Sequence, residues 1–449
     1  MIKSLKIKNF KSIKELDLEL QDLNLFCGEN ASGKTSAIHA LLAAVQKNDK
    51  RAGFDGELIR IGNFIDIRTR GVVGNIEIEI ENMNNIQKKI KLARTDQGEQ
   101  TEKLEIEQNP TPINIEFEKN LFYLSSNRIG VIDTYFKGSQ KFGINGSLFV
   151  DFLSKYRNDI MPTAYTEIFN NSFELLANNT VEENVLFWFE YITGEKIRIV
   201  PIPNTNQYVL TYGGEDVIRS INTGSGLSYL IPIISVCVGA LLESERPVII
   251  IENPEIYLHP DAQIKLSNFL LFIAKHAQLI VETHSDHILK TVMEDNCETN
   301  KIFVFKLENG LTNKIELSHS NFKTRPISYS EVQYKAFGLP SQELHTILYS
   351  QLHNNFISSL PTPHATRLGR TQQQENERIK KFDSQFLMPH IGLNSSLKKE
   401  YRRTFVYGNP IIYETLPTYI RNCIDHPSST NAFTEQELKS SIDFMLSIL

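Results

Sequence analysis

The sequence predicts an α/β fold in which a mixed sheet with flanking helices is joined to an antiparallel β lobe, a helical insertion and an α-helical C-terminal module. The stretches "VIII", "DAQIKLSNFLLFIAKHA" and "QLIVE" follow one another as strand, helix and strand, the order of a parallel α/β unit. Residues 57–125 contain runs that alternate apolar and polar residues, as antiparallel strands do. Residues 386–449 have the pattern of a small helical module.

Individual elements follow from the same patterns. "SLKIKNFKSIKELDLEL" alternates as a half-buried strand pair would, and "LNLFCGENASGKTSAIHALLAAV" is a strand, a glycine-bounded loop and a helix. The runs assigned to the antiparallel sheet are "NIEIEIE", "KKIKLAR", "LEIEQ", "INIEFE" and "LFYLSS". Helices are expected over 147–190 and 226–243 and in "SQELHTILYSQLH", and strands in "GEKIRIVPIP" and "QYVLTY".

These elements predict four segments: an α/β domain over 1–320 with its helical insertion at about 147–190, a helical extension over 321–360, a polar basic linker or arm over 361–385, and the module over 386–449. The linker is expected because "LPTPHATRLGRTQQQENERIKK" is polar and nonperiodic. Its lysines and arginines indicate a possible contact with DNA or RNA phosphates, whereas the interspersed acids favour an ordinary solvated surface.

Composition limits the compartment and the class of protein. Hydrophobic residues make up 41% of the 449 residues and the net charge is only -6, which is typical of a packed protein. The four cysteines have no C-x-x-C spacing, so neither a zinc site nor a disulfide framework is expected. The N-terminus lacks a signal peptide, and "YLIPIISVCVGALL" is too short to span a bilayer. We therefore expect a cytoplasmic protein without a membrane partner.

"GENASGKTS" is the strongest motif. It has the form G-x-x-x-x-G-K-T between a predicted strand and a predicted helix, where backbone N–H groups and the helix N-terminus can hold phosphate. The lysine neutralises phosphate charge and the threonine offers its hydroxyl to Mg²⁺. A chance glycine turn is the alternative. The expected nucleotide-binding residues of this loop are Gly28, Asn30, Ser32, Gly33, Lys34, Thr35 and Ser36.

Two predicted strands end in polar residues that suit the same nucleotide. Glu252 ends "VIII" and is expected to hold Mg²⁺ together with Thr35, unless it is a carboxylate that faces solvent. His284 ends "LIVETH" and can reach a γ-phosphate, where it senses or stabilises charge. His287, one turn later, is the weaker candidate, and His259 in "LHPDAQ" fits either a dimer-seam loop or a simple turn.

A second glycine-rich loop precedes a predicted helix. "INTGSGLSYLIPII" places Gly224, Gly226 and Ser228 at the start of that helix, which is a second device for binding an anion, or else a plain turn. One chain already has its own phosphate loop. A second one therefore suggests that the nucleotide is shared across a homodimer or a higher homo-oligomer.

Along the chain the motifs occur in the order phosphate loop, second glycine-rich loop, strand ending in Glu252 and strand ending in His284. This order resembles that of ABC-type P-loop ATPase heads of the RecF, SMC and OLD group, over roughly residues 1–310. The resemblance implies ATP and Mg²⁺ as cofactors. It also implies a Walker A loop at 28–36, a signature loop at 224–228, Glu252 as the Walker B acid, a D-loop at 258–260 and His284 as the switch histidine. Arg128 in "YLSSNR" is a candidate active-site arginine, with a surface charge as the alternative.

One position departs from the family pattern. In ABC heads the residue after the Walker B acid is usually the glutamate that polarises water, and here it is Asn253, which cannot act as a base. It can orient a water, and Glu255 is a possible substitute base. The resemblance therefore implies ATP binding and head closure, with slow hydrolysis more typical of a switch than of a motor.

No D-x-D pair for a Toprim nuclease follows residue 310, and no heptad arm interrupts the domain. The chain resembles most the compact PtuA-like ATPases of the Septu and retron anti-phage systems. That resemblance implies that it regulates a separate nuclease subunit of the HNH type or similar. A RecF- or SMC-like DNA-binding repair ATPase is one alternative.

The other alternative is an ATP-gated ribonuclease. "YIRNCIDHP" contains Arg421, Asn422 and His426, the R-N-x-x-x-H spacing of HEPN ribonucleases, which cleave RNA through its 2′-hydroxyl. Asn422 and His426 are four residues apart and would share a helix face. A docking or packing role for the same helix explains the spacing equally well.

Overall fold

The computed structural model of the protein describes residues 1–46, 53–95, 101–109, 120–128, 135–136, 143–147, 149–162, 179–204, 207–213, 218–219, 225–295, 297–318, 328–360, 372–403, 410–427 and 432–449. The chain divides into two compact units, Met1–Pro326 and Ile327–Leu449.

The first unit contains both sheets and helices. Its strands are β1 (Ile2–Phe10), β2 (Ile13–Glu19), β3 (Leu23–Gly28), β4 (Ile76–Asn82), β5 (Gln87–Thr95), β6 (Thr101–Asn109), β7 (Leu121–Leu124), β8 (Tyr135–Phe136), β9 (Ile197–Pro201), β10 (Gln207–Tyr212), β11 (Ile218–Arg219), β12 (Val248–Glu252), β13 (Gln278–Glu282), β14 (Asn300–Glu308) and β15 (Leu311–Ser318). Its described helices are α1 (Lys34–Gln46), α2 (Phe64–Ile67), α3 (Phe149–Tyr156), α4 (Val181–Thr193), α5 (Ser225–Glu243), α6 (Pro260–Ala274) and α7 (Asp286–Glu294).

A six-stranded mixed sheet carries the candidate site. Its strand order is β15-β14-β3-β13-β12-β7, in which β14, β3, β13, β12 and β7 are parallel and β15 is antiparallel. Strands β3, β12 and β13 are buried along their whole length, as strands covered on both faces are. Because they run parallel, their ends at Gly28, Glu252 and Glu282 lie at one edge of the sheet.

A five-stranded antiparallel sheet, β2-β1-β4-β5-β6, forms the predicted β lobe. Ile76, Ile78 and Ile80 alternate with polar neighbours and pack in one core with helix α1. The prediction was wrong for "LFYLSS", because Leu121–Leu124 is β7 and pairs in parallel with β12. A four-residue apolar run is too short for its periodicity to distinguish the two kinds of sheet.

Helices are confirmed at both ends of the expected insertion. Helix α3 lies near its start, and α4 continues to Thr193, where Gly194 ends the helix in a left-handed conformation with φ 76°. Residues 163–178 lie outside the described residues. Trp188 packs against Phe269 and Phe272 of α6, with ring centroids 4.9 and 5.0 Å away. The predicted strands β9 and β10 pair antiparallel in a small separate sheet.

The second unit is mostly helical. Its elements are α8 (Tyr329–Phe337), α9 (Gln342–Ser359), α10 (Gln372–Lys381), a π-helix (Phe382–Leu387), α11 (Met388–Ile391), a 3₁₀ helix (Ser395–Leu397), β16 (Lys398–Arg403), β17 (Ile411–Thr415), α12 (Leu416–Asp425) and α13 (Glu435–Ile448). Strands β16 and β17 form an antiparallel pair that we did not expect in a helical module.

The expected linker over 361–385 is helical from residue 372 onwards, and 361–371 lies outside the described residues. The prediction was wrong there because Ile379 and Phe382, two apolar residues at the end of a polar stretch, are buried in the core of this unit. All four cysteines are free thiols. No helix in the described part of the chain combines the length and the hydropathy needed to cross a bilayer.

Candidate functional site

The phosphate loop has a backbone that only glycine tolerates at two positions. Gly28 ends β3 with φ 139°, and a Cβ there would overlap the carbonyl of Phe305 on β14. Gly33 precedes α1 with φ 106°, and a Cβ there would overlap the side chain of Thr312. The loop is therefore shaped by contacts with β14 and β15 as well as by its own sequence.

Lys34 is held inside this loop. Its side chain is almost fully buried, and its ammonium donates hydrogen bonds to the carbonyls of Gly28 at 3.1 Å and Glu29 at 2.8 Å. Burial lowers the pKa of Lys34, and the carboxylate of Glu282 opposes that shift. The ammonium is therefore already positioned where the loop would hold phosphate.

A pocket of about 280 Å³ opens at the loop. Helix α1 and the ends of β12 and β13 complete its wall. The residues that line it are Asn30, Ala31, Ser32, Gly33, Lys34, Thr35, Ser36, Asn253, Glu282 and His284. The structure thus brings most of the predicted loop residues together with two of the predicted strand-end residues, and Glu252 is not among the lining residues.

Glu252 is buried and faces the edge strand. Its Oε1 accepts a hydrogen bond from the hydroxyl of Tyr123 at 2.8 Å, and its Oε2 accepts one from the backbone N–H of Ser126 at 3.0 Å. Burial and the Glu252 carboxylate both raise the pKa of Tyr123, which keeps this phenol protonated as a donor. Both oxygens of the predicted Walker B acid therefore have partners on or just after β7.

A lysine and a histidine also lie near Glu252. Lys11 Nζ lies 2.8 Å from His39 Nδ1, and His39 Nε2 lies 3.8 Å from Glu252 Oε1. Burial, followed by the Lys11 charge, lowers the pKa of His39 to about 4, so the ring is neutral at pH 7. The Lys11 ammonium can only donate, which places the imidazole proton on Nε2, toward Glu252.

Sequence reasoning missed Glu282. This residue ends β13 beside Glu252 in parallel register, and its Oε1 accepts a hydrogen bond from the hydroxyl of Thr35 at 2.7 Å. Burial raises its pKa to about 7, Thr35 opposes that shift, and Glu252 adds to it. The signal was present, because "QLIVE" ends an apolar strand with an acid just as "VIIIE" does.

Arg128 is neither a surface charge nor a residue that lines the pocket. Its guanidinium is buried and donates to the carbonyls of Ser125 at 3.1 Å, Glu252 at 2.6 Å and Asn253 at 2.6 Å. It therefore joins the segment after β7 to the backbone at the end of β12. This contact fixes the turn that carries Asn253.

Asn253 and Glu255 differ in what they contact. Asn253 has φ 44°, its N–H donates to the Glu282 carbonyl at 2.7 Å, and its buried Oδ1 has no hydrogen-bond partner among the described residues. Oε1 of Glu255 accepts the backbone N–H of His284 at 2.7 Å, and burial raises the pKa of Glu255. Asn253 thus lines the pocket with its amide oxygen buried, whereas Glu255 positions the histidine turn.

The three histidines have different surroundings. His284 lines the pocket, and partial burial together with the Lys34 charge lowers its pKa, so a neutral ring is present at pH 7. His287 is half-buried on α7. His259 is the N-cap of α6, where Nδ1 accepts from the N–H of Asp261 at 3.5 Å, which is the role of a turn residue. Any contact of His259 with a second copy stays a prediction.

The predicted signature loop is only partly described. Gly224 lies outside the described residues, and Gly226 lies in the first turn of α5. Ser228 is fully buried, with its Oγ 3.0 Å from the hydroxyl of Tyr212. Ser228 is therefore engaged within its own chain, and the anion-binding role of this loop stays a prediction.

The oxygen atoms of the pocket suit Mg²⁺. The Thr35 hydroxyl, the Glu282 carboxylate and the Asn253 amide oxygen are hard ligands, and Glu282 Oε2 and Asn253 Oδ1 are buried without hydrogen-bond partners among the described residues. Among the described residues, no group of three or more His, Cys, Asp or Glu side chains could hold a metal by itself. This fits Mg²⁺, which is usually bound by one or two carboxylates plus substrate phosphates.

Two of the three tail residues contact each other, since the Arg421 guanidinium donates to Asn422 Oδ1 at 3.5 Å. Asn422 is fully buried and its amide donates to the Thr418 carbonyl one turn earlier at 2.8 Å. Arg421 forms an ion pair with Asp425 at 2.8 Å, and His426 is exposed at the end of α12. This placement favours a packing role for Asn422.

The chain is similar to known proteins of two kinds. It is 36% identical to the DNA replication and repair protein RecF of Clostridium kluyveri over 84 residues, which are 18% of this chain and 23% of that protein. It is 34% identical to RecF of Bacillus thuringiensis over 101 residues, 22% of this chain and 26% of that protein. The chain thus spans about a quarter of the length of these relatives.

Two solved structures are similar at low identity. An SMC head bound to the C-winged helix domain of ScpA matches 72% of this chain and 99% of that one, with 16% identity and a TM-score of 0.47. The SMC head domain from Thermotoga maritima matches 71% of this chain and 99% of that one, with 15% identity and a TM-score of 0.41.

A family model described as "AAA ATPase domain" matches residues 1–198 and 151–289, which together are more than half of the 449 residues. The match includes the phosphate loop, both acidic strand ends and His284. The chain belongs to the AAA ATPase domain family, and it is an ATPase with a P-loop fold.

Proposed function

We propose that ATP and Mg²⁺ bind in the pocket at the phosphate loop, that ATP joins two copies of the first unit, and that the joined state controls a separate nuclease in anti-phage defence. One observation carries the ATP site: Lys34, Thr35, Asn253, Glu282 and His284 converge on a single pocket. Bound Mg²⁺ would neutralise phosphate charge, and Thr35 with the neighbouring oxygens would face it. Lys34 would bind the terminal phosphates and the neutral His284 would donate to them.

Slow hydrolysis belongs to the same proposal. The residue after Glu252 is an asparagine that lines the pocket, and an amide can orient water but cannot take its proton. Glu255, the other candidate base, already accepts the N–H of His284. A long-lived ATP-bound state suits a switch that signals to a partner in the cytoplasm.

The ATP assignment is tested with Lys34→Ala and a fluorescent ATP analogue. The change should abolish nucleotide binding, because the ammonium is the cation held inside the loop. Lys14→Ala, at an exposed lysine on β2, is the matched control and should bind as the wild type does. Unchanged affinity in Lys34→Ala would refute the ATP site.

The partner is tested by co-expression with the products of neighbouring reading frames. Association with a nuclease that changes with ATP supports the proposal, and purification of an active defence system without any nuclease contradicts it. Incubation of the purified chain with RNA tests the ribonuclease alternative, with Arg421→Ala and His426→Ala as controls.

A second candidate function is DNA binding in repair. The matches to RecF proteins favour it, although they cover only 18–22% of this chain. It predicts strong ATP-dependent binding of duplex DNA by the purified chain alone. Fluorescence anisotropy with labelled duplex, with and without ATP, separates it from the nuclease-partner proposal.

A further inference from the structure

Two carboxylates lie side by side at the ends of β12 and β13. Glu252 and Glu282 are paired in parallel register, and they are only 4% and 3% exposed. Sequence order alone assigns Glu252 to Mg²⁺, since it ends the apolar strand directly before Asn253. The contacts of the two side chains lead to a different assignment.

Glu252 has no free oxygen for a cation. Tyr123 and Ser126 each donate to one of its two oxygens, and both donors lie on or after β7, on the side of β12 that faces away from β13 and the phosphate loop. The neutral His39 approaches the same carboxylate at 3.8 Å. Turning Glu252 toward the pocket would leave the buried Tyr123 hydroxyl and the Ser126 N–H without their acceptor.

Glu282 has the opposite arrangement. It lines the pocket, and its Oε1 accepts the hydroxyl of Thr35, the loop residue expected to face Mg²⁺. Its Oε2 is buried and has no hydrogen-bond partner among the described residues. An acceptor buried without a donor is costly, and a cation beside it removes that cost. The Oδ1 of Asn253 in the same pocket is also buried without a partner.

We propose that Glu282, and not Glu252, supplies the protein carboxylate that faces Mg²⁺ in the nucleotide site, together with Thr35. Asn253 contributes its amide oxygen to the same cluster. Glu252 is a positioning residue that ties the end of β12 to the segment after β7. This inference rests on the proposed ATP site.

The test compares two carboxylate-to-amide changes, Glu282→Gln and Glu252→Gln, in the full chain. The affinity for a fluorescent ATP analogue is measured with Mg²⁺ and with EDTA, and the ratio of the two affinities is the metal effect. Glu282→Gln should lose about tenfold or more of this effect, the range found when metal-site partners are removed. Its affinity in EDTA should stay within about twofold, because Lys34 and the loop are intact.

Glu252→Gln should keep the metal effect within about twofold, because its oxygens contact protein donors. Glu282→Asp retains a carboxylate and should recover part of the effect, which separates a metal role from a purely structural one. Electron paramagnetic resonance of Mn²⁺ with nucleotide is the direct readout, and the bound-ion spectrum should change in Glu282→Gln but not in Glu252→Gln. The fluorescence of Trp188, the only tryptophan, checks that each variant is folded.

A full metal effect in Glu282→Gln, or an equal loss in both amide variants, would overturn the inference and leave the ATP site standing. Absence of nucleotide binding to the wild-type chain, with Mg²⁺ and with EDTA alike, would overturn the proposed function and this inference with it.

Discussion

Asn253 has a backbone conformation that few residues adopt without strain. Its φ of 44° lies in the left-handed region, which asparagine and aspartate tolerate better than longer side chains do. Arg128 binds its carbonyl and Glu282 accepts its N–H, so this conformation is held from both sides. The left-handed backbone therefore favours asparagine over the glutamate of the family pattern at position 253. The chemical consequence is that the site lacks a general base at this position.

Asn253→Asp should accelerate hydrolysis. The change preserves side-chain size and tolerance of the left-handed region, and it places a carboxylate at a residue that lines the pocket. A positioned base contributes about 10²- to 10⁴-fold, but Glu282 and Glu252 oppose the added charge. We expect single-turnover ATP hydrolysis to rise roughly tenfold, about 1.4 kcal/mol off the barrier.

Asn253→Glu is the informative comparison, because it carries the same charge on a longer side chain. It should destabilise the fold by about 1–2 kcal/mol through the left-handed backbone and gain less in rate. If Glu255 is the working base instead, Asn253→Asp slows hydrolysis, and Glu255→Gln abolishes it while ATP stays bound.

The residues of the site differ in how visible they are in the sequence. Gly28, Gly33 and Lys34 can be recognised from a short stretch of sequence, because one loop contains both the motif and the residues that perform its function. Glu282 and Tyr123 act through neighbours that are 247 and 129 positions away along the chain. Those contacts depend on strand order and register, which a single sequence does not fix.

The π-helix of the second unit shows the same dependence among secondary-structure elements. It lies at the end of the segment predicted as a linker, and Asp383 in its first turn is buried and accepts the N–H of Glu414 at 2.8 Å and the hydroxyl of Thr415. These bonds tie the π-helix to the end of β17 and the start of α12. Helical structure at this point is a product of tertiary contacts.

Asp383→Ala should therefore destabilise the second unit. One buried and one partly buried donor would lose their acceptor, at roughly 1–3 kcal/mol each, so we expect about 3 kcal/mol in urea unfolding followed by circular dichroism. Ser384→Ala, an exposed neighbour in the same turn, should change stability by less than about 0.5 kcal/mol. Equal effects of the two changes would show that the Asp383 bonds do not hold this turn.

Helix α9 contains a group that makes the second unit sensitive to acid. His345 is fully buried, its Nε2 lies 3.1 Å from Ser441 Oγ, and burial lowers its pKa to about 3. The unfolded chain binds this proton below about pH 6.5, whereas the folded chain stays neutral down to about pH 3. The stabilising contribution is therefore complete above pH 6.5 and is lost progressively as the pH falls.

Between pH 7.5 and 5 this loss amounts to about 2 kcal/mol for one such group. His345→Gln removes the titration, so its unfolding free energy should fall less steeply over this range, as measured by urea unfolding at each pH. His426→Gln, at an exposed histidine of the same unit, is the matched control and should follow the wild type. Parallel pH profiles for His345→Gln and the wild type would contradict the assignment to His345.

For the whole molecule, the open question is whether one chain or two build the nucleotide site. The phosphate loop and the glycine-opened start of α5 belong to the same unit, and both are expected to bind an anion. If two copies share each nucleotide, the loop of one acts with α5 of the other. A copy with a defective loop and a copy with a defective α5 can then form one intact site between them. If each chain builds its own site, mixing the two copies cannot restore activity.

Mixing two inactive variants tests this. Lys34→Ala disables the loop, and Gly226→Glu places a negative charge at the start of α5, opposite phosphate. Each variant alone should be inactive, but a mixed dimer has one site in which both parts are intact. Random pairing of equal amounts makes half of the dimers mixed, so we expect about a quarter of the wild-type ATPase rate. Lys34→Ala mixed with the Lys34→Ala, Gly226→Glu double variant has no intact site and should stay inactive. No recovery in the first mixture, with both variants folded, would mean that each chain builds its own nucleotide site.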